Sequence, residues 1–196
     1  MTVPALPGVE PAEGWAGLAG QVRGCTRCAE LAATRRTVVV GEAPPGARIA
    51  LLGEAPGAQE DESGRPFVGR AGQLLDACLD EAGLHRDQVA VLNTLKCRPP
   101  GNRRPTATEL GHCRPWLDAQ LALVRPVVLV ALGTTAATAV LGRLRTLAAA
   151  REQVHEVQGR QVLATYHPSA ALRWGPAGAP RAALVADLAR ARALAG

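Results

Sequence analysis

The chain is poor in aromatic residues and has almost no lysine. Of its 196 residues only 3% are aromatic, with one phenylalanine and one tyrosine, and Lys96 is the single lysine. Arginine therefore carries almost all of the positive charge behind the net charge of +5. A basic balance favours polyanionic partners such as nucleic acids, although many mildly basic chains bind none. Charge alone therefore indicates a class of partner without establishing it, and each aromatic side chain becomes informative.

The sequence also lacks any apolar run that approaches the roughly 18 residues needed for a membrane span. Residues 1–14 are rich in Pro, Gly and Glu, and they lack the basic segment followed by an apolar stretch that marks a signal peptide. We therefore expect a cytoplasmic protein that does not interact with membranes. The length suits one core, so we expect a single domain over residues 1–196, with residues 1–14 flexible, acting as a monomer.

Short apolar runs alternate with amphipathic segments along most of the chain. Continuous apolar runs are typical of strands buried on both faces of a parallel sheet. They occur at 49–52, 89–92, 127–132 and 162–164. Helical periodicity lies between and after them, at 72–82, 108–124, 134–141 and 182–194. This alternation predicts an α/β fold, a three-layer αβα sandwich with a short, mostly parallel central sheet.

Polar segments follow three of these predicted strands, at residues 54–61, 93–96 and 167–169. In open α/β sheets, ligands bind outside the carboxyl ends of the strands. We therefore expect the three segments to meet in one cleft.

Four of the five cysteines have a pattern typical of a metal site. Cys25 and Cys28 form a C-x-x-C pair, Cys97 follows the second strand, and Cys113 comes 16 residues later. A redox pair is disfavoured because the C-x-x-C precedes the first strand. Four thiolates suit zinc or an iron–sulfur cluster, and the isolated Cys97 and Cys113 favour a cluster, while burial as small hydrophobes is the alternative. Cys78 shares a helix face with leucines, which indicates a core position.

The segment 53–72 is rich in acids and glycines and contains the only phenylalanine. Glycine lets a backbone approach a ligand closely. The acids Glu54, Glu60 and Asp61 do not suit a phosphate-binding loop, and no G-K-[ST] follows. A P-loop is therefore excluded.

This segment resembles the first motif of the family 4 uracil-DNA glycosylases, the bacterial and archaeal iron–sulfur branch. The resemblance continues through Asn-Thr-Leu-Lys-Cys-Arg-Pro-Pro-Gly-Asn at 93–102, Cys-Arg-Pro-Trp-Leu at 113–117, Leu-Gly at 132–133 and Tyr-His-Pro-Ser-Ala at 166–170. It covers roughly residues 20 to 175 in the order of the family. Several motifs found together make the match specific.

The resemblance implies hydrolysis of the N-glycosidic bond of deoxyuridine in DNA, which releases uracil and leaves an abasic site for base-excision repair. It implies that Phe67 stacks on the flipped-out uracil. Asn93 would read the base, since an amide can pair with both O4 and N3–H. His167 would stabilise the charge that develops at O2. The same substrate pocket would contain Gly53, Glu54 and Ala55.

The position of the aspartate in the best-known uracil glycosylases is Ala55 here, so another acid has to act on the water. We expect Glu60 to take this role, with Asp61 as the second choice and Glu54 also close to the pocket. An anion at this place can also stabilise the sugar cation without removing a proton.

Several further residues are predicted to contact DNA. We expect Ser169 and Arg173 to hold phosphates and Leu172, or Ala171, to fill the gap left by the flipped base. Arg103 and Arg104 lie between two of the distant cysteines and should form a basic surface. The resemblance further implies a [4Fe-4S] cluster, which we interpret as structural because hydrolysis transfers no electron, on Cys25, Cys28, Cys97 and Cys113.

Three alternatives stay open. The first is a non-catalytic iron–sulfur or zinc module that binds DNA, which would not need a base pocket. The second is an α/β enzyme that hydrolyses small nucleosides, which would not need basic loops. The third is a glycosylase with a broader specificity for deaminated bases. The expected substrate is uracil-containing DNA, single- or double-stranded.

Overall fold

The computed structural model describes residues 9–10, 12–175 and 178–196. The flexible start that we predict for residues 1–14 falls mostly on residues outside this description. Within the described ranges, no helix is both long and apolar enough to cross a membrane.

One five-stranded sheet forms the centre of the molecule, with the strand order β2-β1-β3-β5-β4. Four strands run parallel, and β4 pairs antiparallel with β5 at one edge. Helices cover both faces, so the predicted α/β class with a mostly parallel sheet is confirmed. The strands are β1 Ile49–Gly53, β2 Val89–Asn93, β3 Val128–Leu132, β4 His155–Val157 and β5 Arg160–Thr165.

Nine α-helices surround this sheet in the described part of the chain. They are α1 Gly14–Arg23, α2 Ala29–Thr34, α3 Ala58–Ser63, α4 Arg70–Glu81, α5 Ala107–Val124, α6 Thr134–Leu141, α7 Leu147–Arg151, α8 Pro168–Trp174 and α9 Ala179–Ala195. Two short 3-10 turns, Arg86–Gln88 and Pro100–Asn102, flank β2.

The central strands are apolar throughout because each of their two faces is covered by helices. Successive side chains of a strand point to opposite faces. In β1, Ile49 and Leu51 pack into a core cluster with α4 and α9. Ala50 and Leu52 pack into a second cluster with α5 and α6. This pattern explains why the sequence has continuous apolar runs instead of an alternation.

A third core cluster lies beside the sheet and joins the start of the chain to the segment that follows β2. Leu18, Val22 and Leu31 from α1 and α2 pack there with Cys97 and Trp116. The backbone N–H of Val39 also donates to the carbonyl of Lys96 at 2.8 Å. The first two helices are therefore held against the loop between β2 and α5, where the predicted metal ligands lie.

The short elements are the ones that the sequence pattern does not predict. Segment 53–72 contains α3, whose six residues have no apolar periodicity. The edge strand β4 has only three residues, and none of them is fully buried. Elements this short bury too little apolar surface to leave a periodic signal.

Candidate active site

A cleft of about 490 Å³ opens at the carboxyl ends of β1, β2, β3 and β5, where the polar segments were expected to meet. Its walls come from the segments after all four strands. Most of the predicted pocket and rim residues line it, namely Glu54, Ala55, Glu60, Phe67, Asn93, Arg103, Arg104, His167, Ser169 and Arg173. Asp61 and Leu172 are not among its lining residues, and Gly53 lies beneath it.

Gly53 brings the ring of Phe67 and the amide of Asn93 together. It is the last residue of β1 and pairs with Asn93 at the end of β2. A Cβ atom on Gly53 would lie 2.4 Å from both Phe67 Cζ and Asn93 Oδ1. Real Cβ atoms do not approach heavy atoms so closely, so this position requires glycine. The floor of the cleft is therefore a strand end without a side chain, covered by a ring and an amide.

Phe67 has a backbone conformation that needs outside support. Its φ of +50° lies in the left-handed region, which is uncommon for a residue with a large side chain. Arg86 donates from Nη1 to the carbonyl of Phe67 at 3.0 Å and from Nη2 to the carbonyl of Pro66. Arg86 also forms salt bridges with Glu42 and Asp76. No motif in the sequence marks Arg86, which the structure identifies as a support for the aromatic ring.

Asn93 places a hydrogen-bond acceptor without a donor at the floor of the cleft. Asn93 is 3% exposed, and its Oδ1 is buried with no hydrogen-bond partner among the described residues. Its backbone is held firmly, because the buried Lys96 donates from Nζ to the carbonyl of Asn93. Burial lowers the pKa of Lys96 to about 8. Lys96 is the only lysine of the chain, but being the only one does not predict this structural role.

His167 caps α8 and has a defined tautomer. Its Nδ1 accepts from the backbone N–H of Ser169 at 3.2 Å and lies 2.9 Å from Ser169 Oγ. Desolvation in the cleft lowers the pKa of His167 to about 4, against the opposing effect of Glu54. The ring is therefore neutral near pH 7, and its proton is on Nε2. The imidazole therefore offers a neutral N–H donor, and the centroid of its ring lies 5.7 Å from the centroid of the Phe67 ring.

The three predicted acids occupy different environments. Both oxygens of Glu60 are engaged, since Oε1 accepts from the N–H groups of Val68 and Gly69 and Oε2 accepts from Gly57. Asp61 is 2% exposed and accepts from the backbone N–H groups of Arg36 and Thr37.

Glu54 lines the cleft as Glu60 does, but among the described residues only its Oε2 has a hydrogen-bond partner, the hydroxyl of Thr135. Glu60 and Asp61 therefore hold backbone, and Glu54 is the acid of the cleft whose carboxylate does not.

The arginines at the rim of the cleft differ in whether they form salt bridges within the described part of the chain. Arg103 forms salt bridges at 2.7 Å with both Glu30 and Glu109, and its guanidinium lowers the pKa of Glu109 to about 2. The exposed Arg104 and Arg173 have no ion pair in the part of the chain that the structure describes. The arginines that present their charge to the cleft are therefore Arg104 and Arg173.

The four predicted ligand cysteines lie together around a separate small cavity, which Lys96 and Trp116 also line. Trp116 Nε1 donates to Cys25 Sγ at 3.3 Å, and Arg35 Nη1 donates to Cys97 Sγ at 3.2 Å. Desolvation raises the pKa of Cys113 to about 11. Across the described ranges, no three His, Cys, Asp or Glu side chains converge tightly enough to hold one metal ion. Cys78 lies elsewhere, fully buried in the core.

Fold and site together define an α/β protein with a pocket for one planar heterocycle at the carboxyl edge of its sheet. The pocket offers a ring, an amide and a neutral imidazole, and its rim is basic. Such a combination suits a single base taken out of a nucleic acid rather than a nucleotide held by its phosphates.

Comparison with known proteins assigns the family. The model of the uracil DNA glycosylase superfamily matches residues 40–189. A type-4 uracil-DNA glycosylase of Thermotoga maritima is 44% identical over 155 residues, which cover 78% of this chain and 80% of that protein. A type-4 enzyme of Archaeoglobus fulgidus is 41% identical over 160 residues, with coverages of 78% and 80%. The chain belongs to the uracil DNA glycosylase superfamily, and the family 4 resemblance of its motifs is confirmed.

The protonation state of His167 gives a direct prediction. Because its pKa falls from 6.5 to about 4 on folding, the ring should stay neutral, with the proton on Nε2, from pH 8 down to about pH 5. The unfolded chain takes up this proton first, so the residue's contribution to stability should be full above about pH 6.5 and be lost as the pH falls towards 4. Nitrogen NMR of the imidazole, assigned with a His167→Gln variant, measures the pKa and the tautomer of the ring. The free energy of unfolding of the wild type and of this variant, measured across the same pH range, gives the contribution to stability. A ring that titrates near 6.5 would contradict this account.

Proposed function

We propose that this protein hydrolyses the N-glycosidic bond of deoxyuridine in DNA, releasing uracil and leaving an abasic site for base-excision repair. The observation that carries the proposal is the Oδ1 of Asn93 beside the ring of Phe67, a buried atom that has no hydrogen-bond partner among the described residues. A buried acceptor without a donor is costly, so it suits a ligand that brings an N–H. Uracil has that group at N3, and cytosine does not. The names of the matched relatives agree with this activity.

Three residues divide the recognition of the base. The flipped uracil stacks on Phe67, donates from N3–H to Asn93 Oδ1 and accepts at O4 from Asn93 Nδ2. The Nε2–H of His167 donates to O2. As the bond between C1′ and N1 breaks, its electron pair moves onto the uracil ring, and O2 gains negative charge. A neutral donor suits this step because the hydrogen bond to O2 strengthens as the charge develops.

Glu54 acts at the sugar. Its carboxylate stabilises the positive charge that the sugar acquires when N1 departs, and it orients the water that bonds to C1′. The proton that this water releases passes to the carboxylate and from there, through solvent, to the uracil anion. This assignment replaces the expectation for Glu60 and Asp61, because both oxygens of Glu60 are occupied by three backbone N–H groups and Asp61 is turned towards residues 36–37. Glu60 holds the loop that carries Phe67 instead.

The rim binds the DNA backbone. Ser169, Arg104 and Arg173 contact phosphates, and Leu172, which is 38% exposed beside Arg173, enters the space left by the flipped base. Arg103 keeps its loop in place through Glu30 and Glu109. We take the substrate to be single- or double-stranded DNA, met in the cytoplasm by a monomer.

Cys25, Cys28, Cys97 and Cys113 hold a [4Fe-4S] cluster in this proposal. Four thiols around one cavity, with N–H donors from Trp116 and Arg35, suit thiolate ligands. When bound, the cluster supplies a structural link between the start of the chain and the loop after β2.

The division of labour between the acids is open to a kinetic test. Glu54→Gln should slow single-turnover excision of uracil on the order of 100-fold, because a neutral amide neither orients the water nor stabilises the sugar cation as well. Its binding to an oligonucleotide with an uncleavable uracil analogue should change little. Glu60→Gln should weaken that binding, because an amide N–H would face a backbone N–H in the Phe67 loop.

Glu62→Gln is the matched control, since Glu62 lies on α3 with Glu60, and its side chain is 68% exposed in a surface ion pair with Arg36. Full activity of Glu54→Gln together with an inactive Glu60→Gln that still binds would return the chemical role to Glu60. Lack of any excision by the wild type on single- and double-stranded substrates would refute the proposed function.

Loss of single cysteines tests the cluster. Protein purified without oxygen should contain iron and acid-labile sulfide and absorb broadly in the visible range. Alanine at Cys25, Cys28, Cys97 or Cys113 should remove this absorbance and lower the soluble yield, whereas Cys78→Ala should keep it. Stoichiometric zinc without iron would establish the zinc alternative, and loss of the absorbance in Cys78→Ala alone would show that the ligand set is wrong.

A further inference from the structure

Trp174 is the one ring in the described part of the chain that has no partner. The protein has five aromatic residues. Phe67 faces His167, Trp116 is covered by Arg27 at 4.4 Å, and Tyr166 lies 5.7 Å from Arg151. Trp15 packs against two core clusters. Trp174, at 71% exposure, has neither a stacking nor a cation–π contact among the described residues.

Its position is next to the cleft. Trp174 is the last residue of α8, which begins directly after His167 and lines the cleft with Ser169, Ala170 and Arg173. The helix ends there because Gly175 has a φ of +78° and Gly178 packs against the Trp174 backbone, where a Cβ would meet its carbonyl oxygen at 2.8 Å. Trp174 is therefore held at the end of a helix that borders the base pocket.

The surroundings of Trp174 favour nucleic acid. Among the described residues only three large apolar side chains are exposed, and two of them, Leu172 and Trp174, flank Arg173 on α8. The helix contains no acid. An exposed ring beside an unpaired arginine is the combination with which proteins hold single strands, since every base has a face for stacking and every nucleotide has a phosphate.

We propose that Trp174 stacks on a base of the uridine-bearing DNA strand, next to the nucleotide whose base enters the cleft. This inference rests on the proposed function. Trp174 lies roughly 8 Å further along the helix axis than Ser169, which exceeds the rise of about 3.4 Å between stacked nucleotides, so its ring lies beyond the flipped nucleotide. The flipped uridine anchors its own strand beside α8, so the neighbouring base of that strand is the one within reach.

Binding measurements with four variants test this inference. The probe is an oligonucleotide with an uncleavable uracil analogue, single-stranded or paired. Trp174→Ala and Trp174→Leu should each bind both forms about tenfold more weakly, because the stacking surface is lost, while Trp174→Tyr should bind almost as the wild type does. Val127→Ala shortens another exposed apolar side chain, which directly precedes β3 at the opposite end of the sheet, and should bind as the wild type does.

Tryptophan fluorescence gives a readout that a purely structural role would not change. Adding the probe should quench the emission, and the quenching should be absent in Trp174→Tyr although that variant still binds. Unchanged affinity in Trp174→Ala, full affinity in Trp174→Leu, or a loss confined to the duplex would each overturn the inference. So would a dimer that Trp174→Ala converts to a monomer at unchanged DNA affinity. Excision by the wild type is scored separately, so a failure of the proposed function is recognised independently.

Discussion

The pocket depends on the absence of a side chain at Gly53. This residue ends the central strand β1 and is paired with Asn93, and the ring of Phe67 lies over it from the following loop. A methyl group there would occupy the space of the ring and the amide at once. Because both are side-chain ends at the floor of the cleft, the strain would move them into the space of the base while leaving the sheet intact. One missing Cβ thus lets a ring and a hydrogen-bond acceptor approach each other closely, as the proposed recognition of one pyrimidine requires.

Buried charges hold the backbone around that floor. Glu60 accepts from two N–H groups of the Phe67 loop and from Gly57, Arg86 holds the carbonyls on the other side, and Lys96 holds the carbonyl of Asn93. Burying charges is costly, and they are retained where their hydrogen bonds fix a geometry. Lys96 also borders the cavity of the four cysteines, so the proposed cluster and the base-reading residue share one support. In the proposed mechanism the chemistry is carried out by two other residues of the cleft, the neutral His167 and Glu54.

Much of this arrangement could be predicted from the sequence, and the limits are physical. Apolar runs predict the parallel strands, and the geometry of such sheets predicts that the segments after them meet in one cleft. The motifs identify Phe67, Asn93 and His167 because each side chain is chemically suited to a base. The direction of a carboxylate is not encoded in local spacing, so Glu60 and Asp61 were expected in a chemical role when the fold turns them towards backbone N–H groups. Arg86 contacts Phe67 and Glu42, which lie 19 and 44 positions before it in the sequence, and no local pattern reveals such contacts.

Replacing Gly53 with alanine is the measurement that tests the central claim most directly. The account predicts a folded protein whose affinity for an oligonucleotide with an uncleavable uracil analogue falls about tenfold or more, since both the stacking and the amide contact are displaced. The matched variant Gly111→Ala adds a methyl group in α5 that meets nothing within 4 Å, and it should bind as the wild type does. A folded Gly53→Ala protein that binds the analogue and excises uracil like the wild type would contradict the account.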